Sequence, residues 1–371
     1  MQHIDNVTIH AFRGLKELEL NDFSRINLFV GDNNCGKTSV LEALYAFCNP
    51  ADAFKLIQIS RLREARFISG RGALNTLQRV KWLFPATTQN TSSHTAELAI
   101  SGSGRIRIRK YSAVFEEVQG IPEESSIGIE SQAALEGFES LLTHEEEDGL
   151  TITLKTERAD TLPGIFDSDN ITIWNNTPTQ YIRKSIQFEA KLPVKFVEPH
   201  AHRIFGVYAK LYSQAYSLGL LDNLTELLQE FDPDIQGLVI LEEEGAATLH
   251  IEHRKTGTAP IISFGDGLRR VLFIAMQLIS AKDGVCILDE LDNSIHTSAL
   301  QETATWIAKA AEKLDIQVFA STHSLEAVDA FIDASIDDLA VYKLNQGGSL
   351  FKRYSHDILY RIRHKRGFDV R

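Results

Sequence analysis

A short, mainly apolar run, Ile26-Asn27-Leu28-Phe29-Val30, passes directly into Gly31-Asp32-Asn33-Asn34-Cys35-Gly36-Lys37-Thr38, and an apolar-periodic stretch from Lys37 to Phe47 follows at once. No other segment limits the possible folds as tightly. The octet fits G-x-x-x-x-G-K-[ST]. Its two glycines let the backbone N–H groups turn toward the phosphates of a nucleotide, its lysine brings a point charge to them, and its threonine hydroxyl can ligate magnesium. This chemistry needs a strand before the loop and a helix after it, because the free N–H groups and dipole of the helix complete the anion site. The sequence supplies that order, and the expected fold is α/β with a mostly parallel sheet flanked by helices.

The C-terminal third alternates in the same way. A helix is expected over Asp266 to Ala281, a strand over Val285 to Leu288, a helix over Ser298 to Leu314, a strand over Ile316 to Ala320 and a short helix from Ser324. The run Val285-Cys286-Ile287-Leu288 is apolar throughout and ends in Asp289-Glu290. In a parallel sheet such a strand is buried on both faces and delivers its acids to the carboxyl edge, where ligands bind. There Asp289 would organise Mg²⁺ and Glu290 would polarise an attacking water. Ser263-Phe264-Gly265-Asp266-Gly267 precedes a long helix. It suits an anion at the helix N-terminus, or serves as a glycine turn capped by Asp266. His323 stands directly after a buried strand, in Ser321-Thr322-His323-Ser324.

The order of these pieces resembles the nucleotide-binding domain of the ABC ATPase superfamily, above all its soluble branch of RecF, SMC and OLD-type ATPases. The resemblance is carried by Ile9 to Leu15, Gly31 to Leu44, Gly265 to Arg270, Leu288-Asp289-Glu290 with Asp292 to His296, and Ser321 to Ser324. It implies a P-loop NTPase fold of ABC type, ATP and Mg²⁺ as ligands, and a head-to-tail pair of subunits around two ATP molecules. Gly31, Asn33, Asn34, Cys35, Gly36, Lys37, Thr38 and Ser39 would cradle the phosphates, with Arg13 near the nucleotide. Thr38 and Asp289 would hold the metal, and Glu290, Lys37 and His323 would carry catalysis in cis. Ser263, Gly265, Asp266 and Gly267 would bind the nucleotide of the other subunit, and Asp292 would sit in the dimer-contact loop. The family's glutamine has two candidates, Gln58 and Gln78.

Between the two core halves lies a mixed stretch. Lys55 to Leu83 reads as helical, Ala96 to Phe115 and Leu150 to Trp174 as strands, and Ala201 to Gln229 as one helix of about 43 Å at ~1.5 Å per residue. A sustained heptad repeat is absent, so a long coiled-coil arm is not expected. Arg105-Ile106-Arg107-Ile108-Arg109 alternates with period two and reads as a strand with three arginines on one face. The layout expected is an ATPase core over 1–50 and 236–354, an α+β insertion over 51–235, and a basic tail over 355–371.

Charge bears on partners. The net charge is −12, yet eleven carboxylates and no Lys or Arg fall between Ala113 and Gly149, so that the remaining chain carries −1. Basic stretches at Lys55 to Lys81, Arg105 to Arg109 and Leu350 to Arg371 keep nucleic acid among the expected partners. The acidic stretch reads as an exposed, mobile element that mimics nucleic acid or docks a basic partner. Three scattered cysteines exclude a disulfide framework, and no apolar run is long enough to span a bilayer, so a cytoplasmic protein away from membranes is expected. With 48 residues following His323 in this sequence, the TOPRIM nuclease domain that OLD-type proteins often carry is not expected. The leading expectation is a slow, partner-regulated ATPase that switches a separately encoded effector, nuclease or toxin, in anti-phage defence. The alternatives are a RecF-like repair ATPase that binds DNA, a transporter ATPase subunit, and an unrelated P-loop kinase or GTPase.

Overall fold

The computed structural model describes residues 2–50, 52–63, 75–85, 95–121, 146–175, 192–204, 206–243, 245–334, 338–345 and 351–371. The chain begins with strands β1 (Asn6–Phe12), β2 (Leu15–Leu20) and β3 (Ile26–Val30), then helices α1 (Lys37–Phe47), α2 (Ala53–Arg61) and α3 (Thr76–Lys81). Strands β4 (Thr95–Ser103), β5 (Ile108–Gly120), β6 (Glu147–Arg158), β7 (Phe166–Trp174) and β8 (Val194–Val197) follow, then helices α4 (Val207–Ser217) and α5 (Leu221–Phe231). Next come β9 (Ile235–Glu243), β10 (Ala246–His253), β11 (Gly257–Pro260), α6 (Asp266–Ser280), β12 (Val285–Leu288), α7 (Thr297–Lys313) and β13 (Gln317–Ser321). The last elements are α8 (Leu325–Asp333), β14 (Leu339–Leu344), β15 (Phe351–Ser355) and α9 (His356–Tyr360).

Three sheets result among the described residues. One has the order β15-β14-β3-β13-β12-β8, parallel throughout except for the edge strand β15. A second, antiparallel sheet has the order β2-β1-β4-β5-β6-β7, and a third pairs β9, β10 and β11. Residues on both sides of the phosphate loop therefore share the antiparallel sheet, and β8 joins the parallel one.

Alternation along the parallel strands builds two cores. Ile26, Leu28, Cys286, Leu288, Val318 and Ala320 face the core that includes α4 to α8. Phe29, Val285, Ile287 and Phe319 face the core shared with α1 and the antiparallel sheet. Burial on both faces explains why these strands read as continuous apolar runs. Helix α1 packs Val40, Leu41, Leu44 and Phe47 into the second core, which fixes the loop at its N-terminus against both sheets.

Two expectations are corrected. Ala201 to Gln229 is not one helix: a 3-10 turn (Ala201–Arg203) leads to α4 and α5, which are separate. Gly219 at φ +66° ends α4, with its N–H donating to the Tyr216 carbonyl and that of Leu220 to the Ala215 carbonyl, both at 3.0 Å. This is the paired closure that a left-handed glycine makes at a helix C-terminus. Arg105 to Arg109 is not one strand either, since β5 starts at Ile108. The alternation still sets burial, with Ile106 and Ile108 buried, but Arg105 forks onto Asp315 at 2.8 and 3.1 Å, and Arg109 pairs with Glu157. Of the acidic stretch, Glu116 and Glu117 lie on β5 and Glu147 and Asp148 on β6, while 122–145 lies outside the described residues.

Candidate nucleotide site

The phosphate loop leaves β3 at Gly31, where φ is +140° and a Cβ would stand 2.5 Å from the Leu344 carbonyl oxygen of the neighbouring strand. Only glycine passes there. At Gly36, φ +100°, a Cβ would stand 2.9 Å from a Leu15 methyl. Helix α1 starts after Gly36 with no side-chain cap and no acid in its first turn, so its N–H groups are left for an anion. Lys37 is buried and its Nζ donates to the carbonyls of Gly31 and Asp32, both at 2.8 Å. Asn33 and Asn34 stand exposed at the loop tip, Cys35 and Ser39 are buried, and Thr38 is half-buried.

Strands β3, β13 and β12 run parallel and release their following residues at one edge of the sheet. Thr38 Oγ1 donates to Asp289 Oδ1 at 3.2 Å, Ser321 Oγ donates to the same oxygen at 2.6 Å, and the Glu290 N–H donates to Ser321 Oγ at 2.8 Å. A hydrogen-bonded row thus joins the phosphate loop, the acidic pair and the residues before His323. Burial raises the Asp289 pKa, opposed by the hydrogen bond from Ser321. Glu290 sits at φ +46°, a left-handed conformation that a non-glycine residue holds only when its surroundings enforce it. Asn293 donates to the Glu290 carboxylate at 3.1 Å, and Thr322 to Asp292 at 2.5 Å. His323 is exposed, and its carbonyl accepts from Arg371 at 3.1 Å.

Several participants were not singled out in the sequence. Arg270 on α6 is fully buried and donates to the carbonyls of Glu198, Asp289 and Glu290 at 2.7, 3.1 and 3.2 Å. Burial pushes it down to about 10, against the pull of the neighbouring acids. Glu42, also fully buried, is held between Arg13 and Arg63 at 2.7 and 2.8 Å. Arg63 also donates to Ser39 at 2.8 Å. Glu42 interrupts the apolar helical run Val40-Leu41-Glu42-Ala43-Leu44, and Arg270 heads the run Arg270-Val271-Leu272-Phe273. A charge on a helix's buried face was the available signal. Gln78 closes a capping box with Asn75, and Gln58 accepts from Lys55.

The stretch before α6 is tied to the residues after β12. A Cβ on Gly267 would stand 3.0 Å from the Ser294 carbonyl oxygen, while Ser263 and Gly265 are exposed. Asp266 accepts from Arg203 at 2.6 Å and Arg269 at 2.8 Å, with His202 Nε2 3.0 Å away. The Arg203 bond above all holds its carboxyl well below the usual carboxylate range. Asp266 is thus engaged within its own subunit.

The Thr38 hydroxyl and Asp289 carboxylate, already within 3.2 Å, form a hard oxygen donor set that fits Mg²⁺. A second cluster, Asp232, Asp234 and His253, does not form a comparable site. His253 Nδ1 accepts from the N–H groups of Lys255 and Thr256, and Lys255 neutralises Asp234. Among the described residues no helix is long and apolar enough to cross a membrane.

With three parallel strands feeding one edge and α1 locked between two sheets, the fold is that of an ABC-type ATPase of the RecF/SMC-like branch. The chain belongs to the family described as "AAA domain, putative AbiEii toxin, Type IV TA system", which matches residues 26–329. An ATP/GTP phosphatase of Helicobacter pylori is 24% identical over 342 residues, 88% of this chain and 86% of that protein. The DNA replication and repair protein RecF of Nitrosococcus oceani is 34% identical over 111 residues, 30% of this chain and 27% of that one. Among solved structures, an SMC head bound to the C-winged helix domain of ScpA shares the fold with a TM-score of 0.50 and 12% identity, covering 95% of this chain and 98% of that one. Family and fold together set aside an unrelated kinase or GTPase.

Proposed function

We propose that the protein hydrolyses nucleoside triphosphates at the edge formed by Gly31 to Ser39, Asp289, Glu290 and His323, and uses the cycle to switch a separately encoded partner. The observation that carries this reading is the row Thr38–Asp289–Ser321–Glu290, in which the Thr38 and Ser321 hydroxyls donate to one Asp289 oxygen and the Glu290 backbone N–H donates to Ser321 Oγ, no step being longer than 3.2 Å. On nucleotide binding Lys37 exchanges the Gly31 and Asp32 carbonyls for phosphate oxygens. Glu290 accepts the proton of the attacking water, and His323 contacts the transferred phosphoryl group. Mg²⁺ bound by Thr38 and Asp289 would neutralise charge on the phosphate oxygens. Ser263, Gly265 and Gly267 complete the site of a second subunit, a role supported by the exposure of Ser263 and Gly265 and by the engagement of Asp266 in cis.

The phosphatase relative names both ATP and GTP, and the family description names a putative toxin. These support hydrolysis and an effector-directed, defence-type role. The three free, buried cysteines fit a reducing cytoplasm. Phosphate release and sedimentation with and without Mg-ATP test the reading together. Glu290→Gln should stop turnover and trap a dimer, and a monomer under saturating ATP would refute the sandwich. A RecF-like, DNA-binding role is the second reading, supported by the RecF relatives. Arg105, Arg109 and Arg363, however, are already paired with Asp315, Glu157 and Asp329, which weakens the case for them as phosphate contacts.

A further inference from the structure

A cleft of about 790 Å³ opens beside the phosphate loop. One end is polar and lined by Asn34, Gly36, Ser39, Arg13 and Arg63. The other end is aromatic, lined by Trp82, Phe84 and Phe115. Trp82 is the C-cap of α3, which buries Leu77 and Val80, yet it is 66% exposed. Its indole is open on the wall that Phe84 and Phe115 also line, an aromatic surface on which a planar ring can lie.

That position is fixed by the groups at the polar end. The Arg13 N–H donates to the Leu83 carbonyl at 2.8 Å, and its guanidinium reaches the Trp82 carbonyl at 3.5 Å. Phe84 meets Phe115 edge to face at 4.7 Å, which anchors the segment to β5. The turn between β1 and β2 thus holds Arg13 at the phosphate end and Trp82 at the aromatic end of one cleft. At the rim Lys81 and Glu117 pair with each other at 2.7 Å, so their charges are turned to one another and not to the cleft.

Resting on the phosphate-loop reading above, we propose that Trp82 is the platform on which the nucleobase stacks, and that this pocket takes adenine and guanine nucleotides alike. Stacking uses the π-face that every base has, and purines offer the larger face. Discrimination between adenine and guanine needs several donors and acceptors aimed at the base edge; among the described residues of the aromatic end, Lys81 and Glu117 are engaged with each other, and Trp82, Phe84 and Phe115 offer one donor, the Trp82 indole N–H.

Calorimetry on the full chain carrying Glu290→Gln, with Mg²⁺ and intact nucleotide, tests the proposal using ATP, GTP and inorganic tripolyphosphate as probes. ATP and GTP should bind within about threefold of each other. Adding Trp82→Leu should weaken both by about tenfold while leaving tripolyphosphate unchanged, and Trp82→Phe should restore most of the loss. An unchanged ATP affinity in Trp82→Leu, an equal loss for tripolyphosphate, or failure of GTP to bind would overturn it. Lys37→Ala separates the two levels of inference. If it abolishes tripolyphosphate binding, the phosphate loop stands whatever Trp82 does; if tripolyphosphate binds as before, the phosphate-loop reading itself falls.

Discussion

Arg270 grips Glu290 by its main chain: a fully buried guanidinium donates to the carbonyl of a residue at φ +46°, while the Glu290 carboxylate is touched by Asn293 and not by Arg270. The same guanidinium bonds the Asp289 carbonyl, so the second turn of α6 sets the backbone of both acids. Arg270→Ala would leave three carbonyls short of a donor and a void beneath them. We expect a loss of about 3 kcal/mol or more in unfolding free energy. Arg270→Lys, which keeps the charge but not the fork, should keep KM and lower kcat more than tenfold. Thermal melts with steady-state phosphate release check both.

Ser321 serves two acids at once, donating to Asp289 and accepting from the Glu290 N–H. Ser321→Ala should lower kcat by about tenfold to a hundredfold and raise the Mg²⁺ concentration needed for half-maximal rate, because Asp289 loses the bond that favours its charged form. A Mg²⁺ titration of the rate at saturating ATP measures this. An unchanged metal requirement would remove Ser321 from the site's support.

His202 gives the fold a pH dependence. Burial pushes its pKa from 6.5 down to about 4, although Asp266 pulls the other way. In the unfolded chain the imidazole takes its proton near 6.5, so between pH 6.5 and 4 the unfolded state binds more protons and stability falls as pH falls. This contribution is complete above pH 6.5 and is lost on approach to pH 4, with a slope of about 1 kcal/mol per pH unit. Melting temperatures across that window should be flatter for His202→Gln than for wild type.

Arg371 ties the far end of the chain to the loop of His323, donating to the His323 carbonyl while Val370 is buried. Arg371→Ala should lower kcat severalfold with KM nearly unchanged, since it frees the histidine's backbone without touching the phosphate loop. Equal kcat in variant and wild type would show that the His323 loop holds itself.

Arg105 was expected on a strand face open to nucleic acid, and the structure gives it a bidentate partner in Asp315. Arg105→Gln should therefore leave any DNA affinity at low salt unchanged and lower the melting temperature by a few degrees. A weaker DNA complex with a smaller salt slope would reverse that conclusion.

Much of the site was legible because its pieces are local. Strand β3, the glycines of the loop and Lys37 lie in one short run, and the apolar stretch ending in Asp289-Glu290 states its own burial. What the sequence concealed is non-local. Glu42 reads as one polar residue in a helix until Arg13 and Arg63 are brought to it from either side. Arg203 and Asp266 are 63 positions apart, and no period or spacing announces their pairing. The division of Ala201 to Gln229 was missed for the opposite reason: the apolar spacing continues across Gly219, and the backbone closure there outweighs it.

Strand β3 bonds to just two others, β13 and β14, which come from residues 317–321 and 339–344. A ribosome makes the phosphate loop long before either flanking strand, since Lys37 and Gln317 stand 280 positions apart. Until residues 317–321 emerge both edges of β3 are bare, and until Leu344 emerges one still is and nothing closes over Gly31. Nucleotide affinity should thus appear late and abruptly during synthesis, and a nascent chain cut before Leu339 should leave one edge of the short apolar strand β3 unpaired. For the cell, holding a nucleotide thus reports that the strands on both sides of β3 have been made and have found it.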